Sequence, residues 1–423
     1  MTAEAPGSTR ARRRLALSPA DGRGPAPRRA PRSAASDADT DAGGDADHDT
    51  GADHDTGADH DTGAAGAGPG DWRWQVRHAI TDLRALERAF VLTEAEREGA
   101  RRALAEGFPL SITPYYAALA DREDPSCPIR KQCVPTADEA REVRGDLRDP
   151  LGEEAHEVAP HLVQRYPDRA LLLATDRCSV YCRFCTRSRM VGAGGGVRSL
   201  EALAEALAYL RAHQEVRDVI VSGGDPLVMR TERLAALLDA LAAIPHVDTV
   251  RVATRAPVTL PQRVDAALCA ALRRHPAVWV MTHFNHPREL TDVSRAALAR
   301  LVDAGLPVMN QTVLLRGVND DADVLERLFR GLVRCRVRPY YLLQADPVRG
   351  TGHLRTPIAT GLRVMERLQG RLSGIALPKY IVDTPGGRGK VPLLPDYVAA
   401  RAAGTTTLRT FRGELVDYVD PPG

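Results

Sequence analysis

The stretch RALLLATDRCSVYCRFCTR, Arg169–Arg187, reads as a strand followed at once by a loop carrying Cys178, Cys182 and Cys185. The apolar run Ala170–Thr175 has the length of a buried strand, and the C-x3-C-x2-C spacing opens three residues beyond it. Three thiolates on one short loop can hold three irons of a 4Fe–4S cluster. Such clusters ordinarily have four protein ligands, so a missing fourth leaves one iron open to an external molecule. A structural zinc site would need a further Cys or His at finger-like spacing, and none is nearby.

Downstream, short apolar runs alternate with amphipathic stretches. The strand candidates are Ala170–Thr175, Asp218–Ser222, Thr249–Thr254, Val278–His283, Pro307–Leu315 and Pro339–Gln344, with Ala- and Leu-rich helices such as Leu200–Ala212 and Thr231–Ala243 between them. This βα alternation predicts a parallel sheet. Six units are too few for a closed eight-fold barrel, so the expectation is an α/β partial (β/α)6 TIM-like barrel, its site at the C-terminal ends of the strands. That region is taken as 164–390, preceded by a helical extension over 71–163 and followed by a C-terminal segment over 391–423. The extension opens at DWRWQVRHAITDLRALERAF, where Asp71 is a good N-cap and apolar residues recur at helical spacing. Residues 1–70 read as a disordered low-complexity tail, basic at first and then acidic, with the hexamer ADHDTG three times in succession. Such a segment has almost nothing to bury against its ordering entropy. His48, His54 and His60 within it could bind a cation weakly.

The bulk numbers exclude several classes. A net charge of +2 and 4% aromatics give no basis for nucleic-acid or membrane binding, and no apolar run approaches 18 residues. Seven cysteines, an odd number with three clustered, suit a reducing compartment rather than a disulfide framework. The arginine-rich start lacks an apolar core, which argues against a secretory signal. The expected location is cytoplasmic.

Two further stretches carry chemistry. In VDTPGGRGKVP, Val382–Pro392, Lys390 follows a Gly-rich run and is a candidate Schiff-base lysine for pyridoxal phosphate. A nucleotide phosphate loop would require Ser or Thr where Val391 stands; a flexible surface loop remains the alternative. In RYPDRALLL, Arg165, Tyr166 and Arg169 could hold a phosphate dianion by charge-assisted bonds, or serve as structural ion pairs. SGGDP, Ser222–Pro226, ends the second strand candidate, where a plain strand-to-helix turn would also suffice.

The cysteine spacing, with Phe184 before the last cysteine, resembles the radical S-adenosylmethionine superfamily. From Asp71 to about Tyr418 the chain is similar to the lysine 2,3-aminomutase family, through SITPYYAAL, PIRKQCVPT, RYPDRALLLATDRCSVYCRFCTR, RDVIVSGGDPL, THFNHP, NQTVLLRGVND, RVRPYYLLQAD and VDTPGGRGK. The resemblance implies an isomerase moving the amino group of L-lysine from C2 to C3 to give β-lysine, with a 4Fe–4S cluster on Cys178, Cys182 and Cys185, S-adenosylmethionine, and pyridoxal phosphate. It implies that Lys390 carries the pyridoxal phosphate and that Arg165, Tyr166 and Arg169 hold its phosphate. Ser222, Gly223, Gly224, Asp225, His283 and Gln311 would touch S-adenosylmethionine. Arg187 would grip the substrate carboxylate, and Asp346 and Asp383 its distal ammonium. Two carboxylates suit a cationic side chain, because burying an unpaired charge is heavily unfavourable; a glutamate-specific relative would need neutral or cationic groups there.

The resemblance also departs from the family. Asp321 follows GVND where a cysteine is expected, a cysteine-rich zinc tail is not seen, and Leu343 stands where a tyrosine is frequent. The expectation is a possible homo-oligomer without zinc-linked subunits, served by an electron donor such as flavodoxin or ferredoxin. Rival readings are an aminomutase for another cationic amino acid such as arginine, a non-catalytic iron–sulfur electron carrier, and a basic-armed binding protein.

Overall fold

A computed structural model of the chain describes residues 68–105 and 110–421. The tail expected over 1–70, with its acidic repeats and histidines, lies outside the described residues up to position 67.

The N-terminal segment holds α1 (Trp72–Arg77), α2 (Leu83–Ala89), α3 (Glu94–Ala105) and the single turn α4 (Pro114–Ala117). Asp71 and Asp82 cap the first two, accepting from the backbone N–H of Arg73 at 2.7 Å and of Ala85 at 2.8 Å. On α3 a buried Gly99 faces the backbone of Thr136 so closely that a Cβ there would overlap it. That contact seats the turn Ala137–Ala140, whose Glu139 pairs with the buried Arg183 between two of the cluster-motif cysteines.

Ten strands then form one sheet whose spatial order is the sequence order. They are β1 (Glu157–Ala159), β2 (Leu162–Tyr166), β3 (Arg169–Thr175), β4 (Asp218–Gly223), β5 (Thr249–Ala253), β6 (Val278–Thr282), β7 (Val308–Leu314), β8 (Arg338–Gln344), β9 (Lys379–Asp383) and β10 (Lys390–Leu393). Strands β3 to β9 run parallel, while β1, β2 and β10 add antiparallel at the two edges. The helices between them are α5 (Ala204–Ala212), α6 (Thr231–Ala242), α7 (Ala256–Thr259), α8 (Ala266–Leu272), α9 (Asp292–Asp303), α10 (Ala322–Arg334) and α11 (Ile358–Leu368). A separate antiparallel sheet of β11 (Val398–Ala402), β12 (Thr405–Arg409) and β13 (Leu415–Val419) follows.

The parallel run thus has seven strands, not six. KYIVD escapes a sequence reading because it is five residues long and charged at both ends. The sheet also begins before residue 164 and continues past 390. Side chains alternate across it. Val219, Val221, Val250, Val252, Val280 and Leu342 are fully buried in the apolar core shared with the helices, and each contributes roughly 1.5–3 kcal/mol by leaving water. The intervening Ile220, Arg251, Gln311, Tyr341 and Leu343 line a cavity on the other face.

Two residues singled out in the sequence take defined places. Lys390 is not on a surface loop, the alternative reading of its stretch: it opens β10 and pairs in register with Asp383 on β9. The hairpin is closed by Thr384, whose N–H and hydroxyl both donate to the Gly389 carbonyl at 2.9 and 2.7 Å. Asp321, standing where a cysteine was expected, is the N-cap of α10 and accepts from the N–H groups of Asp323 (2.9 Å) and Val324 (3.0 Å).

Gly99→Ala is expected to lower stability by about 1–3 kcal/mol, the usual effect of overpacking, because its Cβ meets backbone rather than a movable side chain. Urea denaturation of the purified variant checks this, and an unchanged midpoint would place Thr136 elsewhere.

Candidate functional site

A cavity of about 340 Å³ opens at the C-terminal ends of the parallel strands. Cys178, Cys182, Cys185 and Lys390 all line it, as do Arg165, Tyr166, Arg169, Arg187, Asp346 and Asp383. The thiol loop and the lysine, more than 200 residues apart in sequence, therefore share one chamber.

The thiol loop is held by glycine. Gly223 has φ +111°, a conformation that side chains rarely adopt, and a Cβ on Gly223 or Gly224 would overlap the carbonyl oxygens of Thr175 and Arg177 respectively. Gly224 N–H donates to Thr175 O at 2.6 Å, and Asp225 N–H to Arg177 O at 2.8 Å. The pair thus lets the backbone leading into Cys178 lie against the end of β4; the close approach is to the thiol loop. Asp225, expected to contact S-adenosylmethionine, has its carboxylate engaged within the fold. It accepts from Leu227 N (2.9 Å), Thr254 Oγ1 (2.7 Å) and Arg255 N (2.8 Å).

The three thiols are not already gathered into a metal-ready group among the described residues. They do feel one another. Burial pushes the Cys178 thiol up, followed by Asp225 and then Cys185 and Cys182. Burial likewise raises Cys185 to about 11, with Cys182 adding to it. Neighbouring thiolates that repel are relieved by a shared cation, which is the chemistry of a thiolate-held iron cluster. Beside them, the buried Thr282 hydroxyl lines the cavity and has no hydrogen-bond partner among the described residues. His283 packs on Phe184 with ring centroids 5.5 Å apart. Burial and then the Arg255 cation lower it to about 3, so it is a neutral imidazole. Ser222, Gly223, Gly224 and Gln311 line the same wall.

The opposite wall is charged. Of the chain's three lysines, Lys131, Lys379 and Lys390, Lys390 lines the cavity, and its Nζ pairs with Asp383 Oδ2. Arg165 Nη1 and Nη2 approach the two oxygens of Asp383 at 3.4 Å each. Lys390 N–H donates to the Tyr166 hydroxyl at 2.9 Å. Arg169 pairs with Asp168 at 2.9 Å and lies over the Tyr166 ring, 4.6 Å from its centre. Asp346 is raised to about 7, by burial first and by Asp383 second, against the pull of Lys390, Arg165 and Arg187.

Arg187 is set by a residue that the sequence reading missed. Buried Glu153 accepts from Arg187 Nε at 2.9 Å and lies 2.8 Å from Nη2, and it also accepts from Arg189 Nη2 at 3.0 Å. Glu153 thus grips one edge of the guanidinium, while Nη1 points to Ser222 Oγ at 3.4 Å. Burial raises the Glu153 carboxyl, but Arg187 and Arg189 outweigh it and hold it below the usual range. Arg251 and Tyr341, on β5 and β8, were also missed and line the cavity near Arg169. Their only sequence signal is a polar residue at an inward position of an otherwise apolar strand.

The family model for Lysine-2,3-aminomutase matches residues 365–423, and that for the Radical SAM superfamily matches residues 172–328. The chain is 44% identical over 351 residues to an L-lysine 2,3-aminomutase of Fusobacterium nucleatum, covering 83% of this chain and 82% of that protein. It is 45% identical over 351 residues to the L-lysine 2,3-aminomutase of Clostridium subterminale, covering 83% and 84%. A glutamate 2,3-aminomutase of Clostridioides difficile is 41% identical over 355 residues, again 83% and 84%. Among the described residues no helix is long and apolar enough to cross a membrane.

Two outcomes are expected. Gly224→Ala should strip the chain of most reconstituted iron, measured as iron per chain and visible absorbance, because its Cβ displaces the thiol loop. Asp346 gives a pH signature. Its folded pKa of about 7 lies above the usual 3.8, so its stabilising contribution is complete below about pH 4 and is lost as pH rises through 7. Asp346→Asn should therefore flatten the decline in stability between about pH 4 and 7; an unchanged slope would show that Asp346 titrates normally.

Proposed function

The chain belongs to the lysine 2,3-aminomutase family, and on that premise we propose that it converts L-lysine to β-lysine. It is an isomerase, an aminomutase built on a radical S-adenosylmethionine domain. The observation that carries the substrate reading is the pair Asp346 and Asp383 in the chamber of the three thiols. Identity alone discriminates poorly, since relatives named for lysine and for glutamate lie within a few per cent of each other. Two neighbouring carboxylates, Asp346 raised by burial first and by Asp383 second, call for a cationic ligand. Lys390 Nζ on Asp383 supports this, because a lysine ammonium already occupies that carboxylate.

The residues present fit the cofactors of the family. Cys178, Cys182 and Cys185 would hold the 4Fe–4S cluster, and Ser222, Gly223, Gly224, His283, Gln311 and the Thr282 hydroxyl would face S-adenosylmethionine. Lys390 would hold pyridoxal phosphate, with Arg165, Tyr166 and Arg169 toward its phosphate. When bound, the cluster with S-adenosylmethionine supplies a carbon radical that removes hydrogen from C3, and pyridoxal phosphate supplies the aldehyde that keeps the migrating nitrogen attached.

The chain's own residues do the rest. Arg187, fixed along one edge by Glu153, would present Nη1 and the outer side of Nη2 to the substrate carboxylate. Once Lys390 is committed to the cofactor, Asp383 is left to Arg165 and to the substrate ammonium, with Asp346 beside it. Ammonium binding would pull the proton from Asp346, giving a fully ionised pair. Holding the substrate at both ends orients C2 and C3 toward the thiol wall, and the enclosed walls limit water at the reacting carbons.

The same reading extends to the whole chain. A chamber lined from β2 to β10 is best accommodated by a sheet curved as a partial barrel, with 71–163 as a helical extension and 391–423 as an appended C-terminal segment. Free cysteines, with no disulfide among the described residues, support a reducing compartment such as the cytoplasm. A one-electron donor of the flavodoxin or ferredoxin kind would reduce the cluster.

The test is anaerobic reconstitution with iron, sulfide, pyridoxal phosphate, S-adenosylmethionine and a chemical reductant, offering lysine, arginine and glutamate in parallel. Lysine should be isomerised, and Asp383→Asn should raise its KM by more than an order of magnitude, since losing one partner of a buried charge pair costs about 2–5 kcal/mol. Turnover of glutamate alone would overturn the substrate reading. Lys390→Ala should lose the visible absorbance of bound pyridoxal phosphate while retaining its iron.

A further inference from the structure

Arg255 stands just beyond the C-terminal end of β5, is buried, and has no part in the reaction described above. Its Nη1 donates to Cys182 Sγ at 2.9 Å. Its Nη2 lies 2.9 Å from the Tyr116 hydroxyl, 2.6 Å from Gln132 Oε1 and 2.8 Å from Glu289 Oε1. Nε reaches the His283 carbonyl at 3.4 Å, and the backbone N–H is held by Asp225 at 2.8 Å. The guanidinium is thus fixed from four directions, with one N–H aimed at sulfur.

Glu289 is equally fixed. Its Oε2 accepts from the N–H groups of Asn285 (2.6 Å) and His286 (3.0 Å). Its Oε1 accepts from the Tyr116 hydroxyl at 2.9 Å and from Gln132 Nε2 at 3.2 Å. Tyr116 and Gln132 come from α4 and from the turn Arg130–Gln132, so the N-terminal segment reaches the thiol loop through this network. The arrangement places a cation on one thiol ligand and its counter-charge one step behind.

We infer that Arg255 positions the Cys182 ligand and tunes the reduction potential of the iron–sulfur cluster, with Glu289 setting how much of the guanidinium charge the cluster feels. The inference rests on the reading that Cys178, Cys182 and Cys185 hold the cluster. Reduction adds one electron from an external donor, and the added negative charge spreads onto the ligand sulfurs. Hydrogen bonds to those sulfurs and nearby positive charge stabilise the reduced form and raise the potential. Removing the Arg255 donor should lower the potential, and removing the Glu289 charge should raise it. A scaffold role alone predicts no such opposition of sign.

The experiment is a potentiometric titration of the anaerobically reconstituted full-length protein, without substrate, following the reduced cluster by electron paramagnetic resonance. Arg255→Gln is expected to require a potential lower by about 59 mV or more, a tenfold change in the reduced-to-oxidised ratio for one electron. Glu289→Gln is expected to shift the midpoint upward. Should Arg255→Gln lose its iron, Arg255→Lys, which keeps the charge but not the fixed fork, is read instead, and a smaller downward shift is expected. Midpoints equal to wild type, or Arg255 and Glu289 variants moving the same way, would overturn the inference. Failure of the cluster reading itself would appear differently, as a wild-type chain that takes up no cluster.

Discussion

Burying charge away from water is the constraint that organises this protein. The cavity at the strand ends draws Arg165, Arg187, Asp346, Asp383 and Lys390 into one partly enclosed volume, and an isolated ion there would be strongly unfavourable. Each charge is therefore answered. Lys390 and Arg165 answer Asp383, and Glu153 answers Arg187. Asp346, lacking an equally close cation, is answered by a raised affinity for its proton. The pattern of satisfied and unsatisfied charge describes the ligand that the site would take: a carboxylate at one end and a cation at the other.

Precision comes from backbone rather than from side-chain variety. The β9–β10 hairpin fixes Lys390 opposite Asp383 because directly opposed residues of an antiparallel pair lie on the same face. Gly223 and Gly224 fix the thiol loop because nothing larger than hydrogen fits between the two backbones. These anchors sit on different parts of one sheet, so the sheet sets the spacing between the thiol loop and Lys390.

The N-terminal segment takes part in the site. Gly99 seats the turn that carries Glu139, which holds Arg183 inside the cysteine motif. Tyr116 and Gln132 reach Arg255, and Arg255 reaches Cys182. Glu153, just before β1, orients Arg187. The segment read from sequence as a helical extension therefore supplies much of the support behind the thiol loop.

The sequence by itself determined the βα alternation, the cysteine spacing, the candidate lysine and, through resemblance, the arginine and the two aspartates that line the chamber. Those signals are legible because they are local: period, spacing and glycine runs lie within a few residues of each other. It did not foresee that Lys390 opens a strand or that Asp225 engages Leu227, Thr254 and Arg255, overlooked β9, and passed over Glu153, Arg251 and Arg255. Only the tertiary structure decided these. A lone Glu or Arg looks the same at any position until the fold shows which distant partner it meets and whether water is there to solvate it instead.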